Sequence, residues 1–189
     1  MSLDECIRTR RSIRRYQPRD IPDAVVGEVL DLARHAPSSM GGQPLCFVVV
    51  RDGETKRRLA AAKDAHCAPE KRADYPAGFL AAAPVVVAVC VERERAQGRD
   101  RENAILGTAY LLLAAHQRGL GGVYLSAYQA GDAALTREIR ALLLLPPEVE
   151  PVTLVPLGYP AETPPPKPMR TLGTIVHAEA FGRGAVGRA

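Results

Sequence analysis

The chain of 189 residues contains no tryptophan, and aromatics make up only 5% of it. Platforms that stack single-stranded nucleic-acid bases need aromatics beside their basic residues, so this class is disfavoured at once. No CxxC pair occurs among Cys6, Cys46, Cys67 and Cys90, and His35, His66, His116 and His177 follow no zinc-ligand spacing. The expectation is four reduced, mostly structural thiols and no metal, with only Cys67, in a polar stretch, open to solvent. No apolar run reaches the ~18 residues of a membrane helix. The opening MSLDECIRTRRSIRRYQ holds no apolar secretory core. These absences predict a soluble, cytoplasmic protein with no membrane partner. GxxxxGK[ST] is also missing, and Gly119-Leu120-Gly121-Gly122 follows a helix where a dinucleotide fingerprint would precede one. Neither a P-loop nor a Rossmann domain is visible.

What is present reads as one globular domain over residues 1–189, 47% hydrophobic and 24% charged, with a mild net charge of +4. Ser2-Leu3-Asp4-Glu5 is a capping box and predicts a short helix to about Arg10, followed by an irregular or extended run through Tyr16. Pro22 and Asp23 open a second helix, and Pro37 stops it. A Pro, Ser and Gly loop covers Ala36–Pro44, and apolar runs predict strands at Cys46–Val50, Val85–Val91, Val123–Ser126 and Val152–Leu157. Between them, helices are expected from Glu54 to His66, from a cap at Asp100 to Arg118, and from a cap at Asp132 through Leu143. The polar stretch His66–Ala77 suits a flap. The helix ending at Arg118 is apolar almost all round from Ala104 to Ala115, as a helix central to a core or a subunit interface would be. Helices first, then strands and helices mixed, predict an α+β fold with a sheet flanked by helices.

Two segments carry cationic chemistry. Arg8, Arg10, Arg11, Arg14, Arg15 and Arg19 crowd around Ser12. Such a cluster is either a solvated face attracting polyanions or a compact phosphate cradle, since guanidinium forks match phosphate oxygens and a hydroxyl adds a neutral donor. Spacing alone leaves the two open. The second segment is extended and proline-rich, and it carries Lys167 and Arg170 after the last strand.

Taken in order, RRSIRRY, APSSMGGQP, the apolar helix ending AAHQRGLGGVY, and LGYPAETPPPKPMR followed by IVHAEAFG resemble the FMN-dependent nitroreductase family over nearly the whole chain. The resemblance implies an α+β fold with a central mixed or antiparallel sheet, in a homodimer intertwined around long helices with FMN at the interface. It places Arg10, Arg11 and Ser12 at the FMN phosphate and ribityl end, and Arg14 towards the flavin pyrimidine edge. Arg170, with Lys167, completes the phosphate site. Pro37, Ser38, Ser39 and Gln43 match a loop covering the flavin of the partner subunit, and Tyr124, Leu125 and Ser126 a strand end beside the flavin ring. Many relatives carry Asn where this chain has Gly41 and Trp where it has Leu45, so the pocket mouth differs.

The implied activity is an FMN-dependent NAD(P)H oxidoreductase reducing nitroaromatics, quinones or similar electron-poor small molecules in ping-pong fashion. The flavin carries the redox chemistry, so no side chain is assigned as catalytic. The same fold with other flavin chemistry, flavin fragmentation or reductive dehalogenation, is the alternative. A basic nucleic-acid-binding module is a third reading, opposed by the mild charge and scarce aromatics.

Overall fold

The computed structural model describes residues 1–183 except 69, 71, 72, 74 and 75. Five strands form one sheet: β1 (Leu45–Val50), β2 (Val85–Glu92), β3 (Gly121–Gly122), β4 (Leu125–Ser126) and β5 (Val149–Gly158). Their order is β1-β2-β5-β3, with β4 also on β5, and every named pair is antiparallel. A parallel bridge between Ser12 and Gly122 adds the mixed character at the edge.

The helices are α1 (Leu3–Thr9), α2 (Asp23–Ala33), α3 (Gly53–Ala65), α4 (Gly78–Ala82), α5 (Arg93–Ala96), α6 (Asp100–Gln117) and α7 (Ala134–Leu142). The two-residue period of β2 assigns them to two layers. Val85, Val87, Val89 and Val91 pack with Val26, Val29 and Ala33 of α2 and Ala104, Leu111 and Ala115 of α6. Val86, Ala88 and Cys90 face the other way, towards Leu59 and Ala62 of α3, Leu80 of α4 and Ile139 of α7. Burial on both faces explains why β2 reads as an unbroken apolar run. The β2–β5 register jumps from Val89↔Thr153 to Cys90↔Pro151, so Val152 is the extra residue of a bulge. Beside it the buried Thr153 hydroxyl meets Thr108 of α6 at 2.7 Å, and Thr108 also reaches the Ala104 carbonyl, so neither polar group is orphaned.

Local signals set the helix ends. The Ser2 hydroxyl accepts the Glu5 N–H, and Asp52 accepts the Thr55 N–H and hydroxyl at the start of α3. Those two bonds hold the Asp52 carboxyl below its usual range. Gly119, at φ +74°, ends α6 with the Leu120 N–H on Ala115 and its own N–H on His116, a Schellman arrangement.

Three expectations shift. Asp100 lies in the first turn of α6, and Arg99 takes the cap position. Asp132 precedes α7 by two residues, yet its carboxylate still accepts the Ala134 N–H at 2.7 Å. The expected strand Val123–Ser126 keeps only its second half, as β4, while β3 forms ahead of it at Gly121–Gly122. Val123 and Tyr124 lie in the gap, opposite a stretch of β5 that includes Pro156, which has no N–H to donate. The suggested flap His66–Ala77 falls partly outside the described residues.

One face of α6 is packed within the chain. The opposite face leaves Ile105, Leu106 and Tyr110 exposed at 40%, 41% and 43%. The all-round apolar composition of this helix therefore serves two surfaces, one covered and one bare. No described helix is long and apolar enough to cross a membrane.

Candidate functional site

The arginine segment is an extended strap fixed at both ends. The Ile13 N–H donates to the Gly122 carbonyl at 3.1 Å, next to the Ser12–Gly122 bridge. Glycine is required at residue 121, because a Cβ there would sit 2.5 Å from Ile13 Cγ1. Further on, Gln17 N–H donates to Tyr159, Ala161 N–H donates to Arg15, and Tyr16 bridges Pro160. The Tyr16 hydroxyl donates to the Ile13 carbonyl at 2.6 Å, and burial, followed by nearby Glu162, pushes its pKa up.

Glu162 closes the strap. Its Oε1 accepts the N–H groups of Arg14 and Arg15 at 2.6 and 3.0 Å, and its Oε2 accepts Arg15 Nε at 3.1 Å. Burial raises the Glu162 pKa, but the two backbone donors and the Arg15 cation together outweigh it, so the carboxyl titrates below its ordinary value. A carboxylate with a depressed native pKa adds stability above its unfolded pKa and loses it as pH falls through the folded value. Glu162→Gln should therefore flatten the acid limb of stability below about pH 4.3, the ordinary glutamate value. Urea midpoints measured across that range check this, and parallel acid limbs for the two proteins would refute it.

The alternation of extended backbone sorts the arginines. Ile13 is buried, and Arg11 on its side donates to the carbonyls of Arg8, Arg10 and Pro165. Both line a groove of about 480 Å³ with Thr9, His116, Glu162 and Pro164. There the Thr9 hydroxyl donates to Glu5, so His116 Nε2–H donates to Thr9 Oγ1 at 2.8 Å. Burial, then Arg10 and Arg11, lower the His116 pKa, which favours the neutral ring. Arg10, Ser12 and Arg14 alternate onto the other side. Among the described residues, the half-buried Arg10 guanidinium and Ser12 hydroxyl have no partner. The Arg14 guanidinium lies 5.9 Å from the Phe79 ring centroid.

Tyr124, Leu125 and Ser126 follow Gly122 after one intervening residue, Val123. The Ser126 carbonyl accepts Lys63 Nζ at 2.7 Å, and burial lowers the Lys63 pKa. Tyr124 is exposed, and its hydroxyl is pushed up to about 12 by partial burial and by a hydrogen bond with Tyr128. Arg101 lies 4.1 Å over the Tyr128 ring. Lys167 and Arg170 lie on an exposed extended segment tied to Arg11 through Pro165, and Arg170 donates to the Thr174 carbonyl.

The Pro37–Gln43 loop belongs elsewhere. The buried amide of Asn103 accepts the Ser39 N–H at 2.9 Å and donates to the Ala96 carbonyl at 3.0 Å. The Gln43 N–H donates to the Ser38 hydroxyl, and positive φ at Met40, Gly41 and Gln43 shapes the loop. Asn103 opens α6, whereas His116 and Gly122 mark the end where the strap lies. Thirteen residues of helix put about 20 Å between them. Pro37, Ser38, Ser39 and Gln43 therefore do not meet Arg10, Ser12 and Arg14 within one chain.

Sequence reasoning missed Glu162, Asn103 and Lys63. Asn103 had a signal, as the amide at the head of an otherwise apolar helical run, and Glu162 had one as the acid closest after the last strand.

The nitroreductase family model matches residues 7–159. An NADH dehydrogenase of Thermus thermophilus is 36% identical over 180 residues, covering 81% of this chain and 84% of that protein. An iodotyrosine deiodinase of Thermotoga neapolitana is 29% identical, covering 88% and 92%. Among solved structures, an FMN-dependent nitroreductase of Clostridium difficile superposes with a TM-score of 0.80 at 25% identity, covering 94% of this chain and 99% of that one. With the fold, the strap and the family model in agreement, this chain belongs to the nitroreductase family.

Proposed function

We propose that this chain is an FMN-dependent NAD(P)H oxidoreductase acting on electron-poor small molecules as a homodimer. The observation that carries the reading is the Arg10 guanidinium and Ser12 hydroxyl, half-buried on one side of a fixed strap and unpartnered among the described residues. A cation and a neutral donor in that state suit a phosphate and an adjoining polyol. The solved nitroreductase of Clostridium difficile is FMN-dependent, which favours FMN as the group.

On this reading Arg10 and Ser12 hold the phosphate and ribityl end, with Lys167 and Arg170 reinforcing it from the C-terminal segment. Arg14 places its cation towards the pyrimidine edge, where it neutralises negative charge. Arg11 supports the strap from behind through its three carbonyl acceptors. Backbone groups of Tyr124, Leu125 and Ser126 border the ring, and Lys63 fixes their position through the Ser126 carbonyl. When bound, FMN supplies the two-electron chemistry, so no side chain is required as nucleophile or acid. The bare face of α6 and the loop stranded at its far end favour a two-fold dimer in which Pro37, Ser38, Ser39 and Gln43 of one subunit cover the site of the other.

The test is the colour and redox response of the purified protein. A yellow protein with flavin absorbance, bleached anaerobically by NADH or NADPH and recoloured by a nitroaromatic or quinone, is expected. A colourless chain that takes up no added FMN would sink the reading. Donor and acceptor sharing one mouth predicts parallel double-reciprocal lines. The deiodinase relative favours a second reading, reductive dehalogenation on the same site. Release of iodide from 3-iodotyrosine, measured beside nitrofurazone turnover, separates the two.

A further inference from the structure

Two cysteines that the flavin chemistry does not use face each other across the sheet. In the β1–β2 register Cys46 stands directly opposite Cys90. The Glu92 N–H donates to Pro44 O at 2.8 Å, which makes the neighbouring 44/92 pair hydrogen-bonded. Pair type alternates along an antiparallel ladder, so two residues on, Cys46 and Cys90 also form a hydrogen-bonded pair, with Cα atoms about 5.5 Å apart. That separation lies inside the roughly 4.4–6.8 Å range bridged by disulfides.

Their surroundings differ. Cys90 is fully buried between β1 and β5, at the bulge that leaves Val152 unpaired. Cys46 lies on the edge strand of the sheet and is only half-buried, so the expectation that Cys67 alone reaches solvent is incomplete. The Cys90 thiol hydrogen-bonded to it holds Cys46 below the ordinary thiol range. The same bond, followed by burial, pushes Cys90 up. One thiol is thus half-buried at the sheet edge and suited to react as thiolate, while the other is sheltered and keeps its proton.

We propose that Cys46 and Cys90 form a redox modification site, oxidised by hydroperoxides to a cross-strand disulfide that staples β1 to β2. The Cys46 thiolate attacks the peroxide, breaking its O–O bond, and forms a sulfenic acid with release of water or an alcohol. The Cys90 sulfur then attacks the Cys46 sulfur and expels hydroxide, which takes up the Cys90 proton as water. Two thiols and one hydroperoxide give one disulfide, one alcohol or water, and one water; the sulfurs lose the two electrons that the O–O bond gains. Because β1 begins one residue after the Ser39–Gln43 loop, the staple fixes the root of that loop.

The experiment treats the whole reduced chain with one equivalent of hydrogen peroxide, blocks remaining thiols by alkylation, and records intact mass and a peptide map. Two of the four thiols should vanish with loss of two hydrogen masses. A single linked peptide pair joining 46 to 90 should appear, and dithiothreitol should reverse all of it. Cys67→Ser should behave the same way, and Cys46→Ser, altered at a half-exposed position that preserves the fold, should retain its Cys90 thiol. Oxygen adducts on Cys46 beside an intact Cys90 thiol, a bridge that includes Cys67, or unchanged loss of two thiols in Cys46→Ser would each overturn the assignment.

Discussion

Arg10→Ala is expected to weaken FMN binding about 10- to 150-fold, the equivalent of losing one charge-assisted contact of roughly 1.5–3 kcal/mol. The size follows from the surroundings of the group. The Arg10 guanidinium has no partner among the described residues, so its removal leaves no stranded protein acceptor and its whole effect falls on the ligand. Arg11→Ala offers the contrast. Its guanidinium serves the Arg8, Arg10 and Pro165 carbonyls, so it should lower thermal stability more than affinity. Titration of each apoprotein with FMN, read by flavin fluorescence, decides the matter. Indistinguishable curves for wild type and Arg10→Ala would remove the phosphate assignment.

The second large effect concerns the bare face of α6. Leu106→Glu should weaken dimerisation by about a thousandfold, because a two-fold interface carries every substitution twice and each buried leucine contributes roughly 1.5–3 kcal/mol. The Leu106 side chain is exposed in the single chain, so circular dichroism should report an intact fold. Sedimentation velocity should give monomers at concentrations where the parent is dimeric, and FMN should be lost with the dimer. A monomeric parent, or a variant that stays dimeric, would refute this assembly.

Much of this was legible in the sequence because the relevant signals are local. The Ser2 and Asp52 caps, the C′ glycine at residue 119 and the buried run of β2 each depend on a few neighbouring residues. The α+β class followed from the order of such elements, whereas the mixed or antiparallel sheet was an implication of the family resemblance. The illegible parts depend on partners distant in the chain. Nothing around Val123 shows that Pro156 will lie opposite, so the predicted strand shrank to its second half, with a separate short strand ahead of it. Spacing alone did not distinguish the six clustered arginines, and the resemblance grouped Arg10 with Arg11; once the strap is pinned by Gly122 and Glu162, alternation separates Arg10 and Arg14 from Arg11 and Arg15. The opposition of Cys46 and Cys90, 44 positions apart, is a property of strand register and has no trace in either segment.

The placement of the strap and the Ser39–Gln43 loop at opposite ends of α6 has a genetic consequence. Each site of the proposed dimer draws Arg10 from one subunit and the loop from the other. A chain crippled at Arg10 and a chain crippled in the loop are both inactive alone. Co-expressed, they form a mixed dimer in which one site inherits both defects and the other inherits none. Two dead alleles should therefore complement, restoring about a quarter of the wild-type sites when assembly is random, and no enzyme whose site is built within a single chain would do so.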